Sequence, residues 1–256
     1  MLQPHSFLWH YLWLGPQFLQ VALAIVLWRR RVSKQFPVFF AYLIFGAIEQ
    51  VTLYVMDALP SVSVTTWWLA FCIGLVIEGL IRLGVMGELF FHLLEPRPAI
   101  AKVGRRLITG TGAVLVLLAT LAAAYAPLDT HQFALGYRAT ILEQTLYMIE
   151  SGLILFLFLF AACFSLRWDR PTLGIGLGRG ISASVHLATF AVMTSGATDE
   201  QRYRLDFLNM ATYQVCVLIW FYFLLVPRRS STMSAVSLPE NNLDIWNREL
   251  ERLLQR

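Results

Sequence analysis

The chain has 256 residues, 57% of them hydrophobic and only 14% charged, with a formal net charge of +4 and a mean hydropathy of +0.61. A soluble domain carries about 25% charged residues and about 45–50% apolar ones, so a soluble globular fold is excluded and a lipid-embedded one is indicated. The basic balance does not point to nucleic acid, because the Lys and Arg residues lie between apolar blocks rather than in one patch.

A run of about 20 apolar residues crosses the hydrocarbon core as a helix. Seven such blocks are predicted, at 7–28, 37–57, 66–94, 106–126, 138–166, 173–195 and 204–226. The expected fold is therefore an all-α seven-helix transmembrane bundle over residues 1–228, followed by a tail at 229–256. The first block has no basic stretch before it and "RRR" directly after it, which reads as a retained helix rather than a signal peptide. Cys72, Cys163 and Cys216 all fall inside apolar blocks and are expected as small core residues, not as a disulfide framework.

Alternate connections are basic. One set holds Arg29, Arg30, Arg31, Lys34, Arg97, Lys102, Arg105, Arg106, Arg167, Arg170, Arg179, Arg228 and Arg229. The other holds Arg138, Arg202 and Arg204. Positive residues mark the cytoplasmic side, so the N-terminus is expected outside and the C-terminus inside a cell (inner or plasma) membrane. Tryptophans 9, 13, 67 and 68 near the outer block ends, with 28 and 168 near the inner ends, fit interfacial belts.

Within the blocks, polar residues recur at helical spacing. The second block places Tyr42, Glu49 and Thr52 on one face; the third places Glu78 four residues from Arg82, and Glu88 four from His92. Glu143, Tyr147 and Glu150 share a stripe in the fifth block, as do Ser182, His186 and Thr189 in the sixth. Asp206, Asn209, Tyr213 and Trp220 line up in the seventh. At 1.5 Å per residue, Glu78 and Glu150 lie about 18 Å below the outer ends, with His186 at a similar depth. Glu49 lies somewhat higher, with Glu143 and Asp206 near the outer surface. The expected ligand or ion site is an outer-half cavity formed by Glu49, Glu78, Arg82, Glu143, Tyr147, Glu150, His186, Asp206, Asn209 and Tyr213. A buried carboxylate must be paired, protonated, wetted or bound to a cation, and four buried glutamates are read here against one deep arginine, Arg82. Glu88 and His92 are expected low enough to reach cytoplasmic water.

Several motifs fail. Retinal needs a lysine deep in the last helix, and the only lysines are Lys34 and Lys102, so retinal is excluded and no cofactor is expected. No HxxxH or HExxH pattern is present, no catalytic set is read, and a metal is left open. The alternating glycines of "LGIGLGRGIS" (173–182) do not form GxGxxG. They suit small-xxx-small packing, with Gly174 over Gly178 and Gly176 over Gly180. Pro16 and Gln17 resemble half of the PQ-loop transporter signature, a seven-helix architecture of this orientation. The resemblance covers that dipeptide and the architecture, and the second half carries no second PQ.

The tail opens with the polar linker "RRSSTMSAVS". Leu243, Trp246, Leu250 and Leu253 then recur at spacings of three and four, which predicts an amphipathic helix over 243–256. Its mixed charge suits docking to a cytoplasmic protein partner through residues 239–256 or to the bundle's own inner face. The functional expectation is a membrane sensor or receptor-like protein that binds a small ligand, ion or proton in the cavity. The alternatives are a proton-coupled or small-solute transporter and a structural or assembly membrane protein. The lipid bilayer is the expected surrounding, with no nucleic-acid partner.

Overall fold

A computed structural model describes residues 6–94, 110, 112–115, 117, 119–121, 134–163, 166, 168–194, 196 and 198–226. Six helices there are long and apolar enough to cross a membrane. They are α1 (Phe7–Arg29), α2 (Pro37–Ala58), α3 (Val64–Leu93), α4 (Ala134–Cys163), α5 (Arg170–Thr194) and α6 (Asp199–Leu225). The described residues are thus all-helical, and the chain is a multi-pass membrane protein. The expected fourth crossing, 106–126, lies largely outside the described residues; those described between Gly112 and Leu121 are helical. The tail residues 229–256, including Leu243, Trp246, Leu250 and Leu253, also lie outside them.

The first three helices start where their first N–H groups find a partner. Ser6 Oγ accepts from Trp9 N at 3.3 Å at the head of α1, and Ser63 Oγ accepts from Thr66 N at 3.1 Å at the head of α3. α2 begins with Pro37, whose missing N–H costs nothing in the first turn. Its next two N–H groups, Val38 and Phe39, donate to the two carboxylate oxygens of Glu88 on α3, at 3.0 and 2.9 Å. The expectation that Glu88 reaches cytoplasmic water is therefore corrected: Glu88 is 5% exposed and caps a helix. His92 bonds the Glu88 carbonyl at 2.9 Å and stacks on Phe36, which fixes the entry into α2.

The half of the bundle away from the start of α1 is an apolar core. Leu27, Phe39, Leu89, Leu157, Ile175 and Trp220 contribute from six different helices and are buried. Two glycine stripes on α5 set its close contacts. Gly174 and Gly178 lie against Phe223 and Trp220 of α6, and a Cβ at Gly180 would sit 3.2 Å from Ile154 of α4. The spacing read from the sequence therefore serves two neighbours at once. Large apolar residues on all six helices, such as Phe18, Ile48, Ile73, Leu155, Val192 and Leu218, are exposed, as a lipid-facing surface requires. Cys216 is buried as expected, but Cys72 is only half-buried and Cys163 is exposed; all three are free. Cys163 ends α4, beyond the core's reach.

Candidate functional site

The polar stripes meet in the half of the bundle that holds the start of α1. They enclose a cavity of about 540 Å³. Of the expected residues, Glu49, Glu78, Arg82, Glu143, Tyr147, His186, Asp206, Asn209 and Tyr213 line it. Glu150 does not. It lies below the wall, 2% exposed, between two guanidinium groups.

The cavity floor is built from these ions. Arg82 donates to Glu78 Oε1 from Nη2 at 2.7 Å and from Nε at 3.1 Å. That is the predicted one-turn pair on α3. Arg82 also donates to Tyr147 Oη at 3.3 Å, and its Nη1 lies 3.6 Å from Glu150. On the far side, Arg179 donates from Nε to Glu150 Oε1 at 2.6 Å, and its Nη2 forms a second contact with the same oxygen. Nη1 donates to Tyr42 Oη at 2.6 Å. Tyr42 shares a 3.2 Å hydrogen bond with Tyr213, which in turn accepts from Gln20. The sequence Glu78–Arg82–Glu150–Arg179–Tyr42–Tyr213–Gln20 therefore joins α1 through α6. Two carboxylates alternate with two arginines, which offsets the cost of burying each charge.

Arg179 is the residue that sequence reasoning misplaced. By position it falls with the charges of a cytoplasmic connection, which leaves one deep arginine to expect, Arg82. Arg179 is instead 1% exposed, nine residues into α5, and it is a second deep cation. The signal was present. Arg179, Ser182 and His186 are spaced three and four apart and share the face that points to the bundle interior.

Above the floor the wall is more loosely tied. His186 donates through Nδ1 to the Ser182 carbonyl at 3.0 Å and stacks on Tyr147 with ring centroids 4.2 Å apart. Thr189 donates to Asn209 Oδ1 at 2.9 Å, joining α5 to α6. Trp13 donates to Gln50 Oε1 at 3.2 Å, joining α1 to α2. Glu49 is 9% exposed, and its Oε2 is buried with no hydrogen-bond partner. Its carboxylate lies against Gly74 of α3, in space a Cβ would fill.

Among the described residues, no three His, Cys, Asp or Glu side chains come together to hold a metal ion. The fold and site define a multi-pass helical membrane protein with a polar cavity standing on a buried ion ladder. The chain matches no protein-family model, no curated protein and no solved structure.

Proposed function

We propose that this protein is a membrane sensor or receptor-like protein whose ligand occupies the cavity. The observation that carries the reading is the cavity's floor. Glu78, Arg82 and Tyr213 line the cavity and are also members of the ladder that joins six helices. A ligand touching them acts on contacts that decide how the helices pack. It shifts the bundle only if it binds one arrangement better than another.

Below the floor the apolar cluster fills the other half of the bundle, which supports a sensor over a carrier open to both sides. In this proposal the N-terminus is outside, following the basic connections, and the cavity faces outward. Residues 239–256 report to a cytoplasmic partner.

The test is a native mass spectrum of the purified protein beside Glu78→Gln and Glu150→Gln, with each variant checked for folding. A bound small molecule or ion that is retained by the parent and lost from the folded variants supports the reading. An empty parent, together with a variant set that keeps every cellular phenotype, removes it.

A further inference from the structure

The cavity wall is unbalanced in charge, and the imbalance has a direction. Five carboxylates occupy the wall and floor: Glu49, Glu78, Glu143, Glu150 and Asp206. Inside the bundle Arg82 and Arg179 oppose them, and both are engaged; Arg202 lies within electrostatic reach of Asp206, four residues along α6. Arg82 is held by Glu78 and by Glu150, and Arg179 by Glu150. Glu49 and Glu143 remain, on α2 and α4, with no arginine or lysine within ion-pair distance of either among the described residues.

Glu49 carries the second observation. It is more than nine-tenths buried, it lines the cavity, and one carboxylate oxygen has no hydrogen-bond partner. A buried, unpartnered carboxylate oxygen is costly unless something with a proton or a positive charge meets it. The Glu49 side chain is also placed deliberately. It lies across α3 at Gly74, the one residue type without a Cβ to displace it.

The rest of the wall selects among cations. A calcium or magnesium ion asks for at least six oxygen ligands drawn tightly around one point. The carboxylates here stand on separate helices around about 540 Å³, without a cluster of three among the described residues. That volume is the size of an organic molecule. The surfaces between the carboxylates are aromatic: Trp13, Trp68, Phe71, Tyr147 and Phe190 line the same space. Aromatic faces attract a charge-diffuse ammonium and give a hydrated metal ion little.

We infer that the cavity binds a small organic cation, an aromatic or alkyl amine whose ammonium group lies in the field of Glu49 and Glu143 and whose apolar body lies among the tryptophans. This deepens the ligand-cavity reading above and rests on it. The Arg82 charge does not repel the guest, because Glu78 and Glu150 neutralise it from both sides.

The experiment uses the full-length protein in lipid nanodiscs. Phenethylamine, as its ammonium form, and phenethyl alcohol, its neutral counterpart, are titrated against tryptophan fluorescence, since Trp13 and Trp68 line the cavity. The expected result is a saturable response to the amine and none to the alcohol. Glu49→Gln and Glu143→Gln each weaken amine binding by about ten-fold or more, a change that reports a lost charge contact. Both variants are checked by thermal unfolding; if one fails to fold, the other carries the test. A saturable response to both compounds, or an amine response unchanged in the folded variants, overturns the cationic class and leaves a ligand cavity. No saturable response to either compound up to about 10 mM, above the millimolar range of even weak sites, overturns the cavity reading as well.

Discussion

Arg179 on α5 donates through Nε to Glu150 on α4 at 2.6 Å, with both side chains almost fully buried. The pair lies below the cavity and is the midpoint of the ladder that crosses the bundle. A buried pair of this kind is expensive to break and cheap to replace as a whole. Arg179→Met is therefore expected to destabilise the folded protein by about 3–5 kcal/mol, because Glu150 loses its closest partner. Adding Glu150→Met to Arg179→Met is expected to recover most of that loss. Thermal unfolding of the parent, single and double variants in one detergent checks the difference. A double variant as unstable as the single one would show that the ladder is not a unit.

The glycines of α5 make a sharper packing prediction. Gly178→Ala places a methyl group into Trp220, and Gly174→Ala places one into Phe223. Each is expected to cost about 1–3 kcal/mol by overpacking. Gly152→Ala, on α4, meets nothing within 4 Å and is expected to be neutral or slightly stabilising. The comparison is made on the unfolding temperatures of the three variants.

Glu88 stands in for an N-cap residue supplied from another helix. Glu88→Ala leaves the Val38 and Phe39 N–H groups without their carboxylate and is expected to cost about 1–2 kcal/mol. Hydrogen exchange should then speed up at the start of α2 and stay unchanged at its far end. Uniform loosening of the bundle would contradict a local capping role.

Gly74→Ala probes the seat of Glu49 without replacing any polar residue. Its methyl group occupies the volume of the Glu49 carboxylate, which must turn elsewhere. The expected outcome is a loss of phenethylamine affinity comparable to that of Glu49→Gln, with helix content unchanged by circular dichroism. Retained affinity would mean that Glu49 does not need this seat.

Thiol accessibility gives an inexpensive check on the packing. A membrane-permeant maleimide should label Cys163 first, Cys72 more slowly and Cys216 only on unfolding, in the order of their exposure. Fast labelling of Cys216 would show that α6 is not packed as described.

Hydropathy is a local sum over about 20 residues, and it is strong enough to be read without any neighbour. The sequence alone therefore placed the crossings of α1 to α6 to within a few residues. It paired Glu78 with Arg82, because that pair is one turn apart on one helix. It also brought out Glu49, Tyr147, His186 and Tyr213, which now line one cavity. Only the tertiary structure decided how the charges are shared. Arg179 and Tyr42 are 137 positions apart, and no spacing rule connects residues on different helices. The same is true of Glu88, whose partners are the first N–H groups of a helix 49 and 50 positions away. Helical periodicity tells which way a side chain faces. Which charge it meets there depends on the helix packed opposite, and that is settled only when the bundle closes.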